Sequence, residues 1–374
     1  MVFTAGTCGS AGSSAMTGPL IGVRVEGHRL VDPAGRTVLL RGVDRMGTEY
    51  ACIQGWGMFS GPSDEQGNAA TLAAMARWHV NAVRVPLNED CWLGRETGDL
   101  DQSFVGPSYR AAITTWVSQI TRSGMVAVVD LHLTAPAGVK ATTQQPMADV
   151  DNSVDFWRSA AAVFKDNRLV VFDLFNEPYL DRDEPPPPDP WACWRDGCQV
   201  YLHERDEQVQ TSRQYQAAGM QALVQAVRGA GATNPVILGG LNYADRLDGM
   251  LSHLPTDPSD QLIVGWHPYP QNECGLDHPE CWDHTVAPIM ADRPVLAGEF
   301  GRNDCAATNL DTFMGWMDQK EHAGSYLAWV WTVVPEAGCP QQGGKGKYDL
   351  ISDYNAGTPT DPYGATVRAH YQKL

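Results

Sequence analysis

Several common signals are missing from this chain of 374 residues, and each absence closes a class of function. No uninterrupted apolar run approaches the roughly eighteen residues that a membrane span needs. No CxxC pair occurs, which argues against a structural zinc, and neither HxH nor HExxH spacing suggests a catalytic metal. Basic residues are scarce: 27 Lys plus Arg against 44 Asp plus Glu leave a formal charge of −17 and a pI near 4.9. Such a surface repels phosphate backbones and anionic lipid, so nucleic acid and membranes are poor partners and a neutral one is favoured. The opening MVFTAGTCGSAGSSAMTG is small and polar without a basic-plus-apolar signal, so any leader is expected to have been removed or replaced. Residues 1–18 are read as a flexible lead-in and 19–374 as one domain. No repeat interrupts that stretch, and the glycine-rich QQGGKGKYD near 341–349 falls inside a late loop.

What is abundant is aromatic. Twelve Trp, twelve Tyr and nine Phe exceed what a core alone uses, and several stand beside Gly, Pro or Asn, where loops are expected. Short β-branched and aromatic runs alternate with helical patterns. After a hairpin read over Gly22–Thr37, the strands are Val38–Val43, Asn81–Pro86, Met125–Leu133, Val170–Leu174, Pro235–Gly239, Leu262–Tyr269, Pro294–Glu299 and Tyr326–Trp331. Helices are predicted over Asn68–Trp78, Ser108–Ser123, Val154–Phe164, Ser212–Arg228, Leu310–His322 and 361–374. The segment from Tyr179 to Thr211, with its Pro185–Pro188 run, reads as a stiff excursion over the fourth strand's exit and a wall for whatever binds there. Eight strands alternating with helices, each strand exiting into a polar loop, form the (β/α)8 pattern of an α/β TIM barrel, with the N-terminal hairpin closing its bottom.

The strand exits carry the chemistry. Val171–Tyr179 ends in Asn176-Glu177-Pro178, where proline stops the strand and leaves Glu177 at its carboxyl end. Alone, this Glu could be a surface acid capping the next helix. Glu299 ends strand seven, however, and the two carboxylates can face each other across the barrel mouth. With one protonated and the other ionised, such a pair cuts a glycosidic bond: the first protonates the leaving oxygen and the second attacks the anomeric carbon. Arg84 on strand two would keep the attacking carboxylate ionised, and Tyr269 would hydrogen-bond the same group. Asn176 would contact the sugar hydroxyl next to the reacting carbon, His132 and His267 would shape the sugar site, and Trp331 would floor it, favoured over Trp329 of the same parity because it lies closer to the strand's exit. His132 taken alone could equally be an ordinary core histidine. Trp56, Trp92, Trp191, Trp194, Tyr243 and Trp282 are further stacking candidates, each of which could instead pack inside its own loop.

The order Arg84, His132, Asn176-Glu177-Pro178, His267-x-Tyr269, Glu299, Trp331 resembles glycoside hydrolase family 5, the cellulase-like barrel glycosidases, over residues from about 22 to 374. The resemblance implies a single catalytic domain and a retaining double displacement with Glu177 as acid/base and Glu299 as nucleophile, with no cofactor and no metal. Many relatives carry Gly-Val-Asn where this chain has Gly42-Val43-Asp44, which bears on the nearby sugar subsite. The implied substrate is a neutral oligo- or polysaccharide, with endoglucanase- or mannanase-like action on a β-linked glucan or mannan. Long loops after strands one, four, six and eight would instead favour an exo-acting β-glucosidase or a diglycosidase on aryl or disaccharide glycosides. A non-catalytic carbohydrate-binding barrel has no need of both Glu residues, and a metal-dependent hydrolase would have to draw on Asp130, His132 and His267.

The nine cysteines fit this arrangement as disulfides, against the alternatives of a metal site or unrelated thiols. Cys193 and Cys198 bracket one loop, Cys274 and Cys281 another. Cys52 and Cys91 follow strands one and two, Cys305 and Cys339 strands seven and eight, and loops on one face can be stapled. Four bridges with Cys8 left over are expected, and with them a secreted, extracellular monomer.

Overall fold

The structure, a computed structural model, describes residues 20–373 except 184, 205–207, 305 and 334–347. Eight parallel strands close a barrel: β1 Arg41–Asp44, β2 Ala82–Asn88, β3 Val126–Leu133, β4 Val170–Asp173, β5 Val236–Gly239, β6 Leu262–Trp266, β7 Val295–Phe300 and β8 Ser325–Ala328, each hydrogen-bonded to the next and β8 to β1. Helices separate them because the apolar spacing changes from two to about 3.6 residues. Glu65–Arg77 is typical: Asp64 caps it by accepting from the Gly67 backbone N–H, with Glu65 in its first turn and Arg77 in its last.

Alternation along the strands sorts the core into two bodies. Val83 and Val85 of β2, Ala127 and Val129 of β3, and Val170 and Phe172 of β4 face outward and pack under the helices. Ala82, Val126, Val128 and Val171 face inward, where they meet Leu40, Ile237, Ile263, Leu296 and Leu327. Val23, Val25 and Leu30 join this inner layer from the short hairpin Arg24–Glu26/Arg29–Val31, so the hairpin plugs the barrel bottom. The same parity continued upward places Asp44, Arg84, Asp130 and Asp173 inside the barrel above the apolar layer. Register aligns them, Asp44 opposite Arg84 and Asp130 opposite Asp173.

β7 breaks the parity. Its pairing with β8 shifts between Ala297 and Phe300. Leu296 faces inward and Phe300 belongs to the outer layer, two positions that strict alternation would put on the same side. The extra residue of this irregularity turns Glu299 toward the mouth, whereas an unbroken strand would aim it at the helices.

Two expectations are corrected. The predicted helix Ser212–Arg228 begins as strand: Gln208–Gln216 pairs antiparallel with Gln199–Glu204, and the helix runs only over Met220–Gly229. Its polar residues are tolerant of either state, and cross-strand pairing that buries Val200, Leu202 and Tyr215 decides between them. Strand eight ends at Ala328, three residues before Trp331.

Three of the four expected disulfides are present, Cys52–Cys91, Cys193–Cys198 and Cys274–Cys281, while Cys8, Cys305 and Cys339 lie outside the described residues. Cys52–Cys91 spans 39 residues and ties the loop after β1 to the short helix after β2; the other two span 5 and 7. Loop-closure entropy assigns the long bridge about 4 kcal/mol and the short ones roughly 2 kcal/mol each. Cys52→Ser/Cys91→Ser is therefore expected to lower the denaturant midpoint more than Cys193→Ser/Cys198→Ser, and equal losses would contradict the loop-length account. With six of nine cysteines bridged, thiol titration of unfolded, unreduced protein should find no more than three thiols.

Candidate active site

Arg84 is the centre of the barrel mouth. It is fully buried, and its guanidinium is surrounded. Nε donates to Asp173 Oδ2 at 2.9 Å, Nη1 to Asp44 Oδ1 at 3.1 Å and Glu299 Oε1 at 2.7 Å, and Nη2 to Asn176 Oδ1 at 2.8 Å. Asp130 Oδ2 stands 3.1 Å from Nη2. One cation thus faces four carboxyl groups, more negative charge than a buried site can hold fully ionised.

Protons resolve the imbalance. Burial, only partly offset by Arg84, pushes Asp173 up to about 8 and Asp44 well above the ordinary carboxylate range. His132 supplies a second cation: burial disfavours its charge, but the Asp130 carboxylate 2.7 Å from Nδ1 outweighs this and raises the imidazole to about 9. His267 behaves oppositely, because burial lowers it to about 4 and leaves it neutral.

The two expected acids meet here. A carboxylate oxygen of Glu177 and one of Glu299 lie within 4.8 Å of each other, with His267 between them. Glu299 accepts at both oxygens, from Arg84 and from Tyr269 Oη at 2.7 Å. Burial and the two glutamates keep the Tyr269 phenol protonated as that donor. Glu177 differs. Its Oε1 is 2.8 Å from His267 Nδ1, its Oε2 accepts from Gln144 at 3.0 Å, and burial raises its proton affinity. Gly298 leaves room for His267: a Cβ there would lie 2.9 Å from Nε2. Glu177, His267 and Glu299 are also spaced as three ligands for a cation, but Arg84 already neutralises Glu299 at contact distance.

Arg84, His132, Asn176, Glu177, His267, Tyr269 and Glu299 are therefore brought together. Trp331 is not: it is fully buried, packed edge-on against Trp78 at 4.9 Å. Trp329 holds the expected place, half-buried and stacked 5.7 Å from His132 with 9° between the rings. Inward parity from Leu327 pointed to both tryptophans, but the strand ends before Trp331 and parity ends with it. Four stacking candidates are also corrected, since packing consumes their faces. Trp92 is buried against Phe156 and Phe164, Trp191 and Trp194 against each other, and Trp282 against Phe313 and Trp316. Trp56 is 49% exposed and Tyr243 is half-buried, stacked 4.6 Å from Tyr179. Sequence reasoning missed Gln144, which comes from the loop between β3 and the helix Ser153–Phe164 and carries no motif. It also missed Asp173, whose signal was an acid at inward parity in an apolar strand.

Fold and mouth together define a class: an eight-stranded barrel with two facing carboxylates above a buried arginine. The model of the cellulase family, glycosyl hydrolase family 5, matches residues 31–334, and the chain belongs to that family. It is 22% identical over 246 residues to a probable endo-beta-1,4-glucanase B of Neosartorya fischeri, covering 61% of this chain and 63% of that protein. It is 23% identical to endo-beta-1,4-glucanase B of Emericella nidulans, covering 55% and 52%. The match thus spans less than two thirds of either relative's length. Among solved structures, a beta-glucanase of Saccharophagus degradans in complex with cellotetraose shares the fold with a TM-score of 0.65 at 19% identity, covering 94% of this chain and 93% of that one. A beta-mannanase of Streptomyces thermolilacinus with mannohexaose does so at 0.62 and 18%, covering 94% and 96%.

Asp173 makes stability depend on pH. Its folded value near 8 exceeds the unfolded value of 3.8, so the folded state holds the extra proton and this contribution is lost as pH rises through about 8. Asp173→Asn, which keeps an acceptor for Arg84, should reduce the fall in urea midpoint between pH 5 and pH 9. An unchanged fall would show that Asp173 is ionised throughout.

Proposed function

We propose that the chain is a retaining endo-β-glycanase acting on a β-linked glucan or mannan, with Glu299 as nucleophile and Glu177 as acid/base. The observation that carries this reading is the approach of the two carboxylates to within 4.8 Å. Retaining pairs stand about 5–5.5 Å apart, whereas inverting pairs need roughly 6.5–9.5 Å to admit a water.

In the first step a Glu299 oxygen bonds to the anomeric carbon while the bond to the leaving oxygen breaks and takes the Glu177 proton. In the second, Glu177 removes a proton from water, the water oxygen bonds to the anomeric carbon, and Glu299 leaves as a carboxylate. Arg84 and Tyr269 hold the nucleophile by both oxygens and aim it. Asn176, fixed by Arg84, is placed for the hydroxyl beside the reacting carbon, and Trp329 with His132 supplies a flat wall for a sugar ring. An endo mode and a glucan or mannan substrate are supported by the glucanase and mannanase relatives. Three disulfides support an oxidising, extracellular location, and no described helix is long and apolar enough to cross a membrane.

Glu299→Ala is expected to abolish turnover, and azide should restore it with a glycosyl azide of inverted configuration. Glu177→Ala should slow substrates with poor leaving groups by about 100- to 10,000-fold while sparing activated aryl glycosides. Equal losses on both substrates would remove Glu177 from the acid role. Product analysis on β-1,4-glucan, β-mannan and aryl β-glycosides assigns the substrate, and loss of activity with a chelator would favour a metal-dependent mechanism instead.

A further inference from the structure

Glu177 touches a residue that no strand-end motif supplies. Gln144 Nε2 donates to the Glu177 backbone carbonyl at 3.2 Å and to Oε2 at 3.0 Å. The amide is held in place from behind. The Gln144 carbonyl accepts from Tyr179 Oη at 2.9 Å, Gln145 exchanges two hydrogen bonds with the His203 backbone, and the Pro146 carbonyl accepts from the Tyr179 N–H at 3.0 Å. Tyr179 lies two residues after Glu177, so the segment that presents the amide is tied to the segment that presents the acid.

This contact has a chemical consequence. The amide N–H fixes Oε2 as an acceptor and so fixes how the carboxyl group is turned. Oε1 faces His267 Nδ1, which itself stands 3.9 Å from Glu299 Oε2. We propose that Gln144 is a positioning residue for the acid/base: its amide, bonded to both Oε2 and the backbone carbonyl of Glu177, fixes the orientation of the carboxyl group that carries the catalytic proton. Gln144 also sets how tightly that proton is held. A donor to the carboxylate favours the ionised form and opposes the upward push of burial, so Glu177 stays able to release its proton to a leaving oxygen.

The inference rests on the acid/base role proposed for Glu177, and the two fail separately. The titratable and charged groups around Glu177 are His267, Tyr269, Glu299, His132, Arg84, Asp130 and, more distantly, Tyr348; none is altered by a change at Gln144. Gln144 is only half-buried, so replacing it leaves no sealed cavity. The experiment measures kcat/KM against pH for Gln144→Leu and Gln144→Glu on an activated aryl glycoside and on one with a poor leaving group. Removing the donor should move the alkaline limb up by roughly half to one pH unit, and placing a carboxylate there should move it further. The poor leaving group should lose about tenfold more rate than the activated one. An alkaline limb that stays in place with equal losses on both substrates would reduce Gln144 to a structural contact and overturn the proposal. If Glu177→Ala itself shows no dependence on the leaving group, the acid role falls instead, whatever Gln144 does.

Discussion

The mouth of this barrel depends on one buried guanidinium. Arg84 reaches across the interior from β2 and binds groups from β1, β3, β4, β7 and the loop after β4. A planar fork with five N–H donors can do this from a single point, and a lysine ammonium cannot. A charge so deeply buried is unfavourable by itself and becomes tolerable only because every neighbour is a complementary acceptor. The arginine therefore links the strands at the end where the apolar layer stops, and it orients Glu299 and Asn176 as part of the same act.

Excess acid around that cation explains the division of labour. Four carboxyls share one guanidinium, with His132 beside them as a second cation, so neutrality requires some acids to keep protons. Asp44 and Asp173, where burial outweighs the attraction of Arg84, keep them. Glu299 is held at both oxygens by Arg84 and Tyr269. Glu177 sits outside the cluster against the neutral His267 and the Gln144 amide, where burial favours its protonated form. Two like side chains less than 5 Å apart thus have different partners and surroundings.

The framework that holds them is apolar below and cross-linked above. Hairpin residues fill the barrel bottom, the Cys52–Cys91 bridge ties the first two loops, and the Gln199–Gln216 hairpin braces the loop that carries Gln144 through His203. Most of the loop tryptophans serve this bracing and are buried in it. Their number reflects the size of the loops that must be packed.

Alternation, proline stops and strand-end polarity were enough to read eight strands, the barrel and seven of the residues at its mouth, because those signals are local and each strand carries its own. Disulfide pairing in the described loops followed from the same topology. Four things needed the folded chain. The irregularity in β7 that turns Glu299 inward is a register effect between strands, invisible within either one. The exchange of Trp331 for Trp329 depends on where β8 ends, and the strand at the start of a predicted helix depends on partners 13 to 17 residues away. Gln144 reaches Glu177 through a contact spanning 33 residues, and only tertiary packing decides which side chain of an unpatterned loop arrives beside an acid.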